Sequence, residues 1–425
     1  MRWRPRLLLV LLLVQGSCAH LGRDGEAPLA PADVYLVVVD GLDIDRATPE
    51  RMPHLTAAVG ATGSWLTAHA VMPTRTNPNH ASLLTGTQPS AHGITGNRYW
   101  DGTAERDMLA APLLETETLL TAIERQRPAL VTLTAFAKGK LRDLFGKAPG
   151  RQAGPDIAWH PASAEAYAAS DEETMQGFRA LVARHRPAFA MVALADVDGA
   201  GHREGPDSDA YRAAVATVDR LIGAFLSDLR QGGRWRRSVV MVTTDHGFDA
   251  LLPGSEGHIG PADVVAGGAH LVAEGGAAWV HAGRAGSLEA TVAKAERHPG
   301  VAAVYARKPL PGAPAPPASW HTGHPRAGDL LLIARPGYTF VEGPGDRTTR
   351  FRGNHGGPGQ LRIPLVIVGG HPALRRAPLT VDASAADVAP TAAYLLGVAP
   401  PRRLDGTPVP AADAGRALLE LVGGQ

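Results

Sequence analysis

Tyr35-Leu36-Val37-Val38-Val39-Asp40-Gly41 is the stretch that decides the fold. Five consecutive apolar residues, three of them valine, favour extended backbone. With no polar alternation, both faces of such a strand must be covered, as in parallel sheets flanked by helices. The run then stops at a carboxylate and a glycine. Further short apolar runs at Ala129–Leu133, Phe189–Leu194, Val239–Val242, Leu330–Ile333 and Leu365–Val368 read as more strands. Between two of them, Val215, Val218, Ile222, Phe225 and Leu229 recur at the three-to-four spacing of an amphipathic helix. Strands alternating with helices predict an α/β protein with a mostly parallel central sheet sandwiched by helices. In such sheets chemistry gathers at the carboxyl ends of the strands.

The whole chain agrees with that class. Its 425 residues, 44% hydrophobic and 20% charged, suit one large α/β domain, and 49 Gly and 35 Pro predict many loops. A formal net charge of +1 gives no global basic field, so no nucleic-acid polymer is expected as partner. Residues 98–128 read as loop. Residues 250–325 are rich in Gly, Ala and Pro and end in the stiff connector Pro309–Pro317, so 250–345 is expected to form a smaller inserted cap. The catalytic domain is expected over 20–425.

Residues 1–19 stand apart. Arg2, Arg4 and Arg6 precede the apolar run Leu7–Val14, and Gly16, Ser17, Cys18 and Ala19 follow. This is the pattern of a signal peptide, too short for a stable membrane span. The protein is therefore expected to be exported, periplasmic or secreted, without a transmembrane span. Cys18 is the only cysteine, and a lipid anchor on it is the second reading.

Carboxylates and imidazoles cluster near the predicted strand ends. Asp40 closes the first strand; Asp198 and His202 follow 189–194; Asp245 and His246 follow 239–242; His355 sits in Gly353-Asn354-His355-Gly356-Gly357 ahead of 365–368. Alone, each has a plainer explanation as a turn or a cap. Together, this mixture of oxygen and nitrogen donors suits zinc, with manganese or cobalt as alternatives. Six such donors in two sets of three would hold two ions. In Pro73-Thr74-Arg75-Thr76-Asn77-Pro78-Asn79-His80, Pro78 marks the first turn of a helix. A hydroxyl at a helix N-terminus can simply cap it, or can meet a phosphoryl group there as a nucleophile.

These pieces resemble the alkaline phosphatase superfamily, and within it the nucleotide pyrophosphatase/phosphodiesterase branch. The matching segments are Asp40-Gly41, Pro73-Thr74-Arg75-Thr76 with Pro78-Asn79-His80, His92-Gly93-Ile94-Thr95-Gly96-Asn97, Asp198 with Gly201-His202, Asp245-His246-Gly247 and His355-Gly356-Gly357. The resemblance implies two zinc ions. Asp198, His202 and His355 would hold one; Asp40, Asp245, His246 and Thr76 would hold the other. It implies Thr76 as nucleophile, through a phosphorylated threonine, and Asn97 as donor to a phosphoryl oxygen. The implied activity is hydrolysis of phosphodiester or nucleotide pyrophosphate-type bonds in a small phosphorylated substrate.

The branch usually carries an aromatic residue after the nucleophile, where this chain has Asn77. Tyr99, Trp100 or Trp159 could stack a base instead. Thr76-Asn77-Pro78-Asn79 and Ala137-Lys138-Gly139-Lys140-Leu141-Arg142 also look like phosphonoacetate hydrolase of the same superfamily, in which the two lysines hold the substrate carboxylate. That resemblance makes Lys138, Lys140 and Asn77 candidate substrate contacts and a C–P bond hydrolase the alternative. A noncatalytic metal-binding envelope protein is a third reading.

Overall fold

The computed structural model describes residues 30–108, 111–148, 150, 152–161, 168–343, 346–375 and 381–422. The expected signal peptide at 1–19 and the Cys18 anchor lie outside the described residues. From Pro31 onward the chain forms one compact unit.

The strand Asp33–Val39 lies inside an eight-stranded sheet. It pairs in parallel with Phe189–Leu194 on one side and Ser238–Thr243 on the other. Thr132–Phe136 and Ile157–Trp159 extend the parallel part outward from Phe189–Leu194. Beyond Ser238–Thr243, Arg362–Gly369 runs antiparallel to both its neighbours. Ser64–His69 and Ala383–Ser384 complete that edge.

Alternate side chains of the first strand enter different cores. Val34, Leu36 and Val38 pack with Leu83, Leu84, Leu119, Ile123 and Leu396, from the helices Thr76–Thr85, Leu119–Gln126 and Val388–Leu396. Tyr35, Val37 and Val39 pack with Leu55, Phe178, Val218, Ile222 and Phe225, from Pro53–Thr62, Asp171–His185 and Asp209–Gln231. Burying a side chain of this size contributes roughly 1.5–3 kcal/mol. Two such layers explain why the strand needs no polar face.

Four details differ from the reading of the sequence. The strand expected at 129–133 is Thr132–Phe136, because Arg127–Leu130 closes a turn, with Leu130 N–H donating to Arg127 C=O at 2.9 Å. Residues 98–128, expected as loop, contain the hairpin Arg98–Trp100/Glu105–Asp107 and the helix Leu119–Gln126, capped by the Thr118 hydroxyl. The run at 330–333 joins a separate antiparallel sheet of His270–Glu274, Ala277–His281, Leu330–Ala334 and Val301–Ala306. That sheet has its own core around Leu271, Val280, Val292, Leu332 and Phe340. The run at 365–368 lies in the central sheet but points the other way. An apolar run specifies burial; it does not specify direction or partner.

The reversed strand matters for the site. Parallel strands deliver Asp40, Lys138, Asp198 and Asp245 to one edge of the sheet, at their carboxyl ends. Because Arg362–Gly369 runs the opposite way, its amino end reaches the same edge and brings His355 with it. Among the described residues no helix is long and apolar enough to cross a membrane.

Candidate active site

Asp40 is 1% exposed. The turn after it is held by Gly41 N–H donating to Asp245 Oδ1 at 3.1 Å and Leu42 N–H donating to Thr244 Oγ1 at 3.0 Å. Gly41 has φ +75°, and a Cβ there would lie 3.0 Å from Asp198 Cα, so only glycine lets these two segments meet. Asp198 and His202 stand four apart on the helix Asp196–Glu204, with Asp198 Oδ1 3.3 Å from His202 Nε2.

Two groups of candidate metal-ligating atoms each fall within 4.8 Å of one another: Asp198, His202 and His355, and Asp40, Asp198 and His246. Asp198 belongs to both. Asp245 borders the second group, its Oδ2 3.3 Å from His246 Nε2. The imidazoles of His246 and His355 stack at 3.4 Å between centroids.

The histidine hydrogen bonds show what these groups can hold. Nδ1 of His202 lies 3.0 Å from Gly353 C=O, that of His246 3.1 Å from Gly247 C=O, and that of His355 2.7 Å from Thr74 C=O. A carbonyl only accepts, so each Nδ1 carries the proton and each Nε2 presents a lone pair. Those lone pairs face carboxylate oxygens: His246 Nε2 is 3.5 Å from Asp40 Oδ1, and His355 Nε2 is 3.7 Å from Asp198 Oδ1. Asp40 Oδ1, Asp198 Oδ1, Asp245 Oδ2 and His246 Nε2 are buried without hydrogen-bond partners. Acceptors facing acceptors in a buried site are satisfied by cations, so this donor set fits divalent metal.

One cation comes from the chain. Lys138, 3% exposed, places its ammonium 2.6 Å from both Asp40 Oδ2 and Asp198 Oδ2. It precedes the helix Gly139–Leu144 as its N-cap, yet is buried. Burial and the charges of Asp198 and Asp245 push Asp40 well up. Burial also acts to raise Asp198, but Lys138, His202 and His355 hold it well below the usual carboxylate range. Lys140 lines the same cavity, where burial and the charge of Lys138 lower it to about 7.

The helix Thr76–Thr85 forms one wall. Arg75 occupies its N-cap without a side-chain capping bond, so Thr76 is the first helical residue and not the cap. Asn79 ties the preceding loop, accepting from Val71 N–H at 2.7 Å. Asn97 Oδ1 accepts from Asn77 N–H at 2.9 Å, which leaves the Asn97 NH2 as its donating end. Asn77 is turned inward, its Nδ2 donating to Met108 C=O at 2.9 Å. Thr76, Asn77, Asn97, Lys138, Lys140, Asp198, His202 and His355 all border one cavity of about 850 Å³. Asp40, Asp245 and His246 lie deeper. Another cavity of about 710 Å³, beside Thr134, Phe136 and Asp156, contains none of these residues.

The candidate stacking rings do not border the site cavity. Trp100 stacks on His270 at 3.8 Å, and Tyr99 and Trp159 pack against the two main cores. The rings that do are Phe340 and Phe351, the latter stacked on His202 at 4.1 Å.

Two residues of the site were not anticipated. His80, one turn beyond Thr76, has Nδ1 3.0 Å from Thr76 C=O and 3.4 Å from Asp245 Oδ2; its spacing of four from Thr76 was the available signal. Glu274, in the second sheet, approaches Arg75, with no local signal in the sequence.

Asp171 anchors the helix that carries Asp198. Its Oδ1 accepts from Ala195 N–H at 2.6 Å and Asp196 N–H at 3.2 Å. Burial, then the charge of Asp196, pushes its carboxyl up to about 7. The folded chain therefore keeps a proton that the unfolded chain releases near pH 4. Stability from this group is full below about pH 4, falls as pH rises toward about 7, and is flat beyond. Asp171→Asn, which retains an acceptor oxygen, is expected to flatten that decline. Denaturant midpoints of the two proteins between pH 5 and 8 check it; parallel slopes would refute it.

Comparison with known proteins gives a consistent set of relatives. A family model described as type I phosphodiesterase / nucleotide pyrophosphatase matches residues 34–358. The bis(5'-adenosyl)-triphosphatases of Pongo abelii and Homo sapiens are each 26% identical over 251 residues, covering 57% of this chain and 53% and 52% of their own lengths. Ectonucleotide pyrophosphatase/phosphodiesterase family member 3 of Rattus norvegicus is 28% identical over 190 residues, or 42% of this chain and 20% of that protein. The chain thus spans about half the length, or less, of the curated relatives it matches. Among solved structures, human ectonucleotide pyrophosphatase/phosphodiesterase 5 gives a TM-score of 0.72 at 20% identity, covering 92% of this chain and 100% of that one. An inactive threonine-to-alanine variant of the murine protein, in complex with AMP, gives 0.71 at the same coverage. At 20% identity these likenesses establish the α/β fold.

Proposed function

The chain belongs to the type I phosphodiesterase / nucleotide pyrophosphatase family, and on that premise we propose that it is a metal-dependent hydrolase of phosphodiester or pyrophosphate-type bonds that uses Thr76 as nucleophile. The observation that carries this reading is the convergence of three Nε2 lone pairs and three buried carboxylates at the sheet edge that Thr76 and Asn97 also border.

Asp198, His202 and His355 would hold one ion, and Asp40, Asp245, His246 and Thr76 the other, with zinc the best match to this donor set. The ions would acidify the threonine hydroxyl and offset charge on the phosphoryl oxygens. The Thr76 oxygen attacks phosphorus as the bond to the leaving oxygen breaks, giving a phosphorylated threonine that water then cleaves. Asn97 holds its carboxamide by accepting from Asn77 N–H, which frees its NH2 to bind a non-bridging oxygen. The backbone carbonyls of Gly353, Gly247 and Thr74 fix the rings of His202, His246 and His355 with the acceptor nitrogen toward the reaction. We place the enzyme outside the cytoplasm, periplasmic or secreted; residues 1–19 and the ectonucleotide relatives support this.

Lys138 and Lys140 favour one second reading, a phosphonate C–P hydrolase that uses them for a substrate carboxylate: both border the cavity, and Lys138 is buried against the carboxylates. Rates of the metal-loaded protein on an aryl phosphodiester, an aryl phosphomonoester, a nucleotide diester and phosphonoacetate decide between the two. Diester rates well above the monoester are expected. Cleavage of phosphonoacetate alone would overturn the diesterase reading.

A further inference from the structure

Glu274 ends a strand of the second sheet, remote from every motif of the site, yet its carboxylate is completely buried at the back of the nucleophile loop. Its Oε2 lies 3.2 Å from Arg75 Nε, and Oε1 accepts from Arg98 N–H at 3.2 Å. The backbone N–H of Asn97 also faces this carboxylate and favours its charge. The approach is close enough that a Cβ on Gly96 would stand 2.8 Å from the Glu274 carboxyl carbon. Arg75 is held from its other side by Asn354, which accepts from Nη1 at 3.3 Å. The next residues of the hairpin continue the contact, with Gly276 N–H donating to His355 C=O at 2.9 Å.

One buried carboxylate thus binds the residue before Thr76 and the backbone of Asn97 and Arg98. Arg75 is the N-cap of the Thr76 helix, so anchoring its guanidinium restrains the backbone that presents the nucleophile. Asn97 takes its place from the 96–98 backbone. We propose that Glu274 is a positioning residue through which the inserted sheet sets the distance between the Thr76 oxygen and the Asn97 amide. The proposal rests on the reading of Thr76 and Asn97 as nucleophile and phosphoryl donor. A bare structural carboxylate would have served as well anywhere in the second sheet's own core; this one lies against the segments that carry those two groups.

Glu274→Gln keeps an acceptor for the two N–H groups and removes the charge facing Arg75. Misplacement of reacting groups by about 1 Å costs on the order of 10²-fold in rate. We expect kcat on an aryl phosphodiester to fall by about that factor, with KM and metal content unchanged and inhibition by orthovanadate weakened in parallel. Unchanged kcat per metal-loaded site would overturn the proposal. Because an unbalanced Arg75 can lower the melting temperature by itself, Arg75→Gln/Glu274→Gln is measured beside it. Restored Tm with kcat still low supports positioning; kcat returning together with Tm assigns Glu274 to charge balance alone and overturns it. Thr76→Ala separates the two readings: if that variant keeps turnover, the nucleophile assignment fails, whereas the vanadate comparison between Glu274→Gln and the parent still reports on the phosphoryl site.

Discussion

Thr76→Ala is expected to lower kcat on any diester substrate by about 10⁴-fold or more, the scale seen when a nucleophile is deleted from a concerted site. The metal content and the melting temperature should stay near those of the parent. Both halves follow from the helix start. Arg75, not Thr76, is the N-cap, so deleting the Thr76 hydroxyl removes no capping bond. The six aspartate and histidine donors are held by backbone carbonyls, a backbone N–H, Lys138 and one another, none of which the substitution touches. Thr76→Ser, which keeps the oxygen and gains rotamer freedom, should retain a measurable part of the rate. Turnover by Thr76→Ala at more than a few per cent of the parent, with metal bound, would rule out this oxygen as the nucleophile.

The parts of the site legible in the sequence are those whose chemistry conflicts with their neighbourhood. Asp40 ends a run of five apolar residues, and the Asp245-His246 pair follows the run Val239–Val242 after two threonines; neither residue type is needed to finish a strand. Such conflicts signal a site. His355 is different. Gly353-Asn354-His355-Gly356-Gly357 resembles an ordinary loop; its place ahead of the apolar run 365–368, in company with the other clusters, and the family likeness single it out. Its place depends on the strand 362–369 running backwards, which no local pattern encodes. Lys138 reads locally as a solvated helix start, and its burial exists only once strands 132–136, 33–39 and 189–194 are aligned in register. Glu274 is the extreme case. A glutamate at the end of a polar-edged strand looks like solvent-facing surface; what buries it is Arg75, which the chain reaches from another layer. The sheet order and the second sheet's pairing were hidden for the same reason, since Leu330–Ile333 is as apolar as any central strand.

Asp198→Ala should cost more bound metal than any other single substitution. Asp198 is the residue common to both candidate groups: it is a donor of the first ion and its carboxylate borders the place of the second, so its loss is felt at both. His202 belongs to one group, lies nearer the surface with 15% of its side chain exposed, and its loss leaves the other group whole. Asp198→Ala is therefore expected to bind neither ion stoichiometrically and to lose at least about 10³-fold in turnover, while His202→Ala keeps one ion. Stability provides a second readout. Asp40, Asp198 and Asp245 crowd three carboxylates around a single lysine, and Asp198 adds to the pressure that pushes Asp40 up. Removing it relieves that repulsion but also takes a buried partner from Lys138, His202 and His355, which together favour its charged form. The chelated variant should therefore melt below the chelated parent. Added zinc, which at a hundred times its dissociation constant stabilises a folded protein by about 2.7 kcal/mol per site, should raise the parent's Tm and leave the variant's unmoved. Elemental analysis showing two ions per chain in Asp198→Ala, or an undiminished zinc-dependent rise in its Tm, would mean that the two groups do not depend on this carboxylate and would overturn its assignment as a ligand.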